Sequence, residues 1–332
     1  MRILTRSQMR QLMDMATCIR MNRLAFEAVA AKRAVVPVKH HIHVEGHPDA
    51  VSLFMPGYLP DLEALGMKIV SVFPDNAQRG LETTVGTMML VDVHGGSPKA
   101  VMDATWLTSI RTGAGSGVAT DVLARPDSHT LTVIGAGGMA FHQIEAVMHV
   151  RPIRRIMLWN RTRARAEALA RAVADYGWGE GRRPQVEVAD DLPQAVAEAD
   201  VIVACTRARE PVLRGEWVRP GTHINLVGAH EPTMREGDDA LLLKSAVRAV
   251  DAWDSAAVSG EIALPVKAGT VGPEHFVELG AIALGRQPGR RTDDDITWFK
   301  SVGLAAQDMA CAAEILRRAE EKNVGAVLRL DA

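Results

Sequence analysis

Cysteine, net charge and long apolar runs are all scarce in this chain. Its three cysteines, Cys18, Cys205 and Cys311, are widely spaced and offer neither a disulfide framework nor the paired spacing of a structural zinc site. A reducing, cytoplasmic setting is expected. No stretch approaches about 18 apolar residues free of charge, which argues against a membrane span. The opening MRILTRSQMR lacks the apolar centre of a secretion signal. Thirty-eight Lys and Arg against 40 Asp and Glu leave −2, so no overall field recruits nucleic acid or an anionic membrane. Repeats and low-complexity tracts are also missing. What remains is an ordinary globular composition, 47% hydrophobic and 23% charged over 332 residues, enough for about two domains.

The compositional break falls after Leu123, where the polar, proline-bearing ARPDSHT precedes the apolar run Leu131 to Ile134. From there strand-like and helix-like segments alternate: Leu131 to Ile134, a helix near Met139 to Val150, Ile156 to Trp159, a helix near Arg163 to Tyr176, and Val186 to Val188. Further strands follow at Val201 to Cys205, Ile224 to Val227 and Val247 to Val250. That rhythm predicts an α/β fold with a Rossmann-type, doubly wound parallel sheet. The first 120 residues instead predict one helix, Ser7 to Val29, and strands in VPVKHHIHVEG, VSLFMP, MKIVSVFP and TMMLVDVHGG. They form a smaller α+β domain with an antiparallel sheet. Thr292 and the three aspartates after it read as the start of a long carboxyl-terminal helix.

Gly135-Ala136-Gly137-Gly138-Met139-Ala140 follows a strand and opens a helix. In that context it is a GxGxxA dinucleotide fingerprint: the glycines permit a tight turn and close approach of backbone N–H groups to a pyrophosphate. The next strand ends in Trp159-Asn160-Arg161-Thr162, without the acid that would bond a ribose 2′-hydroxyl and repel a 2′-phosphate. Residues 151 to 171 carry seven arginines and one glutamate. Asn160, Arg161, Thr162 and Arg165 are therefore candidates for the adenosine ribose, with NADP(H) preferred over NAD(H). A solvated basic helix face is the plainer reading. Thr206, which follows the fourth strand of the series, is expected near the nicotinamide, and Val227, ending the fifth, is a further cofactor-binding candidate.

Three cations in the first domain stand in partly apolar strings: Lys39 in VPVKHH, Lys68 in GMKIVSVFPDN and Arg111 in WLTSIRTGAGSG. Together with MPGYLP, LTSIRTGAGSGVATDVLAR, VIGAGGMA, GTHINLVGA and DDITWFKSVGLAAQD, these strings resemble the ornithine cyclodeaminase/mu-crystallin family along nearly the whole chain. The resemblance implies a substrate-binding and dimerisation domain from residues 1–120 and 305–332, a Rossmann domain from 121–304, and a homodimer. It also implies that Lys68 and Arg111, with Lys39, bind the carboxylate of a small imino or amino acid. Lys39 stands where the family commonly has arginine, and an ammonium lacks the planar two-point contact of a guanidinium. The family's GLPT string reads Gly80-Leu81-Glu82-Thr83, which places Thr83 near the nicotinamide.

Members that cyclise ornithine carry an aspartate after the fifth strand, whereas this chain reads Gly228-Ala229-His230. Histidine supplies no permanent negative charge for a diamine, though it passes a proton near neutral pH. The departure points to the reductase branch: an NAD(P)H-dependent reductase of a cyclic ketimine such as pyrroline-2-carboxylate, or of an imine of a keto acid. A water, Lys68 or His230 would supply the proton. The alternatives are a lyase using catalytic NAD and a non-catalytic NADPH-binding protein. No metal is expected, because His41 and His43 share a strand face with Lys39 while His40 lies on the other. Cys205 reads as a small buried residue.

Overall fold

The computed structural model describes residues 1–47, 49–179 and 181–330. Its strands, in chain order, are β1 (Arg2–Leu4), β2 (His40–His43), β3 (Val51–Leu59), β4 (Ala64–Val72), β5 (Thr84–Val91), β6 (Pro98–Asp103), β7 (Thr130–Ile134), β8 (Arg155–Trp159), β9 (Gln185–Val188), β10 (Val201–Ala204), β11 (His223–Leu226), β12 (Val247–Val250), β13 (Val277–Glu278), β14 (Thr297–Lys300) and β15 (Ala326–Val327). The chain divides into two compact units. One comprises Met1–Arg111 and Leu304–Ala332, the other Thr112–Gly303. The first division lies inside the helix Ala104–Leu123, ahead of the proline-bearing stretch where composition suggested a break.

The first unit holds a seven-stranded sheet, β15-β1-β6-β5-β4-β3-β2. Its central strands alternate strictly between buried and partly exposed residues, as a sheet covered on one face requires. Helix Ala305–Glu321 lies across β3, β4 and β5 and against helix Met15–Ala30. Gly57 permits the close approach, since a Cβ there would stand 3.1 Å from the Ala305 Cβ and 3.2 Å from the Met309 Cγ. Two expectations are corrected. The single early helix is two, Arg6–Leu12 and Met15–Ala30, because Met13 is extended and Asp14 caps the second by accepting from the Thr17 N–H at 2.7 Å. The sheet is mixed rather than antiparallel throughout, because β1 pairs with β6 in parallel.

The second unit is an all-parallel sheet, β13-β12-β14-β11-β10-β7-β8-β9, with the strand order reversing between β7 and β10. All four residues of β10 are buried, and they alternate between two apolar layers: Ile202 and Ala204 on one side, Val201 and Val203 on the other. That is why the strands read as unbroken apolar runs. The three aspartates do not start a helix. Asp295 closes a turn by accepting from the Arg291 and Thr292 N–H groups, and the apolar run that follows is the buried strand β14. The helix begins only at Ala305. Strand and helix are contiguous apolar text, so the sequence carries no visible boundary between them.

Candidate active site

In the first unit, the alternation of β4 turns Lys68 to the covered face, where it is fully buried. Its Nζ donates to Asp308 Oδ1 at 2.9 Å and lies 2.8 Å from Oδ2. Arg111, 5% exposed, donates Nε to the same Oδ1 at 3.0 Å and Nη1 to Gln307 Oε1 at 3.4 Å. Gln307 in turn donates to Asn22 Oδ1 at 2.6 Å. Lys39 is half-buried and near enough to act on Lys68 electrostatically. Burial, then Arg111, lowers the Lys68 ammonium to about 7, with Asp308 opposing and Lys39 assisting. Lys68 and Arg111 therefore meet on one carboxylate that sequence reasoning did not single out, with Lys39 close enough to act on Lys68. The only signal of Asp308 was its place at the end of DDITWFKSVGLAAQD.

Thr83 is exposed, and its carbonyl accepts from the Phe73 N–H at 2.8 Å. The neighbouring Glu82, in the GLPT-like string, accepts both Arg6 Nη groups at 2.6 and 2.8 Å. His40, His41 and His43 are all exposed on β2. Among the described residues no group of three or more His, Cys, Asp or Glu could hold a metal ion.

In the second unit, the fingerprint loop joins β7 to helix Ala140–Val150, with Met139 as its cap. Gly135 has φ +107°, and a Cβ there would stand 3.0 Å from both the Cys205 carbonyl oxygen and the Thr206 Cγ2, so only glycine fits. A Cβ at Gly137 or Gly138 would meet nothing within 4 Å. A crowded first glycine and two open ones make a cradle that fits a dinucleotide pyrophosphate at a helix amino terminus. Asn160 Oδ1 accepts from the Ala136 N–H at 3.1 Å and its Nδ2 donates to the Thr162 carbonyl at 2.9 Å, tying the end of β8 to the loop. Arg161, Thr162 and Arg165 are exposed. Much of the basic run has structural work: Arg151 binds the carbonyls of Thr120, Asp121 and Ala124, Arg155 pairs with Glu187 and Glu198, and Arg163 pairs with Glu167 and Asp190.

Thr206 follows β10, while the Val227 side chain packs in the apolar core. Cys205 is buried, and burial pushes its thiol well above the usual range. His230 is partly exposed; its Nδ1 lies 3.2 Å from the Gly228 carbonyl and its Nε2 3.7 Å from Glu231. Beneath this loop lies a second carboxylate that sequence reasoning missed, Glu236, fully buried and bonded to Thr206 and Gly228. No motif marks it.

Comparison with known proteins extends these observations. A Δ1-pyrroline-2-carboxylate reductase of Bacillus cereus is 37% identical over 328 residues, 98% of each chain. The structure of the Thermococcus litoralis Δ1-pyrroline-2-carboxylate reductase, in complex with NADH and L-proline, matches at TM-score 0.93 and 36% identity, covering 99% of this chain and 100% of that one. An archaeal alanine dehydrogenase dimer with bound NAD matches at TM-score 0.91 and 34% identity, covering 99% of each. Residues 1–323 match the model of the ornithine cyclodeaminase/mu-crystallin family, and the chain belongs to that family.

Proposed function

We propose that this protein is an NAD(P)H-dependent reductase of a small α-imino acid. The observation that carries the reading is the buried Lys68–Asp308–Arg111 cluster, two cations on one carboxylate, in a chain that also holds the glycine cradle. The excess positive charge, with Lys39 beside it, suits a substrate carboxylate. The two bonds Arg111 makes to Asp308 and Gln307 fix the plane of its guanidinium, so a carboxylate bound there has a set orientation. A protonated C=N beside that carboxylate is electrophilic at carbon. Reduced nicotinamide, when bound, supplies hydride to it, and the C=N π pair moves to nitrogen. Lys68, lowered to about 7, is suited to give up or take a proton near neutral pH. His230 is the second candidate, its ring held by the Gly228 carbonyl.

Gly135, Ala136, Gly137, Gly138 and Met139 would hold the pyrophosphate, Asn160 and Thr162 the adenosine ribose, and Thr206 the nicotinamide. A preference for NADP(H) rests on Arg161 and Arg165, exposed arginines close in sequence to Asn160, and on the absence of an acid at the end of β8. Homodimer formation is supported by the outer face of β3–β4–β5, where Phe54 pairs with Ile69, Pro56 with Met67 and Tyr58 with Leu65, and where Val85 is half exposed. Three free, buried cysteines suit a reducing compartment such as the cytoplasm.

The test is loss of NADPH and NADH absorbance with Δ1-pyrroline-2-carboxylate, Δ1-piperideine-2-carboxylate, and pyruvate with ammonia or methylamine. Turnover of at least one, faster with NADPH, is expected. Silence across the panel, or ammonia release from ornithine without net cofactor oxidation, overturns the reading.

A further inference from the structure

Two loops that follow adjacent parallel strands, β10 and β11, are held by one side chain. Glu236 Oε1 accepts from the Thr206 N–H at 2.6 Å and the Thr206 hydroxyl at 2.8 Å, while Oε2 accepts from the N–H groups of Gly228 at 2.7 Å and Ala229 at 3.3 Å. Behind it, Glu261 accepts from the Glu236 N–H at 2.6 Å, and its Oε2 lies 3.2 Å from Lys300 Nζ. Glu236, Glu261 and Lys300 are all buried. Two carboxylates against one ammonium leave one net negative charge in a low-dielectric interior. Burial, and beside it Glu261, hold the Glu236 carboxyl above its ordinary range, against the pull of Lys300 and of the donated hydrogen bonds. Three of its four partners are N–H groups that can only donate, an arrangement that the anion satisfies best.

The position of this charge follows from the sheet. Strands β8, β7, β10 and β11 are consecutive neighbours, and their carboxyl-terminal loops touch. A Cβ on Gly135 would meet Cys205 and Thr206, and one on Gly228 would stand 2.0 Å from the Thr206 carbonyl oxygen. Ligands of doubly wound sheets bind outside these strand ends, at the reversal of order. With pyrophosphate on the loop after β7 and the adenosine half toward β8, the other half extends over β10 and β11.

We propose that Glu236 is a positioning residue for the nicotinamide half of the cofactor: its anion sets the Thr206 and Gly228–Ala229 loops and favours the oxidised, positively charged ring over the neutral reduced one. The inference rests on the cofactor reading above. Binding of NADPH with NADP+, and of NADH with NAD+, to the full chain, followed by nicotinamide fluorescence and by competition, tests it. In Glu236→Gln the ratio of the oxidised to the reduced Kd rises about tenfold. Glu261→Gln moves the ratio the same way by less, and Lys300→Met moves it the opposite way; these two decide the matter if Glu236→Gln does not fold. Loss of a merely structural contact weakens both forms equally, so an unmoved ratio in the folded variants overturns the proposal. Wild-type protein that binds no nucleotide of either pair sinks the cofactor reading itself, whereas wild-type binding with an unmoved ratio sinks only the role of Glu236.

Discussion

Each unit buries a small ionic cluster, and the two have opposite sign. In the first, Lys68 and Arg111 share Asp308, a surplus of one positive charge. In the second, Glu261 lies against Lys300 and accepts from the Glu236 N–H, so that two carboxylates stand near one ammonium, a surplus of one negative charge. A buried ion pair is costly unless its geometry and hydrogen bonds are good, and replacing it with apolar residues is often neutral or stabilising. An unbalanced trio is costlier still. Stability alone therefore does not account for either cluster. On the readings proposed above, each would meet a ligand of the opposite charge, a carboxylate for the first and a cationic ring for the second.

The largest effect should come from breaking the positive cluster. Lys68→Met lowers kcat/KM for the imino acid about a thousandfold, in line with the loss of one partner from a buried charged contact, and leaves the cofactor Kd within about twofold. A comparable loss of cofactor affinity would mean that the two clusters do not act on separate ligands. Asp308→Asn keeps both cations and removes the anion that holds them. It should cost about a hundredfold in kcat/KM and about 3 kcal/mol of stability, measured by denaturant unfolding, because the buried Arg111 guanidinium then loses its counter-charge and Lys68 its charged acceptor.

The same cluster sets a pH dependence. With Lys68 lowered to about 7 by burial, the cation that grips the carboxylate is present below that pH and lost as pH rises through it. The wild-type kcat/KM should fall about tenfold per unit above about pH 7, while kcat, measured with the carboxylate bound and the ammonium held, changes less. Removing the Asp308 charge lowers Lys68 further, so the limb of Asp308→Asn moves to lower pH. A wild-type profile flat to pH 9 would exclude a role for charged Lys68. The smallest effect belongs to Arg161→Ala, expected to weaken NADPH about tenfold and NADH hardly at all, the worth of one charge-assisted hydrogen bond.

Local text exposed much of this molecule. The fingerprint from Gly135 to Ala140 declared its own turn, since a glycine that must adopt φ +107° beside a crowded carbonyl leaves few alternatives. The apolar runs of β7, β8 and β10 announced a sheet covered on both faces. Period-two alternation put Lys68 on one face of β4, although only the family strings singled it out among surface lysines. The boundary between β14 and the last helix was hidden because both are apolar, and the break at Met13 because its neighbours are equally helical in character.

The sequence by itself determined the strands of the parallel sheet and the glycine cradle, because each is written in residues a few positions apart, while the three cations stood out only through the family strings around them. Only tertiary structure decided that Asp308 would meet Lys68, 240 residues earlier, and that Glu236 would reach back to Thr206, 30 residues earlier. A carboxylate's role depends on which donors surround it in an interior of low dielectric, and in both cases those donors come from elements that the chain brings together only on folding.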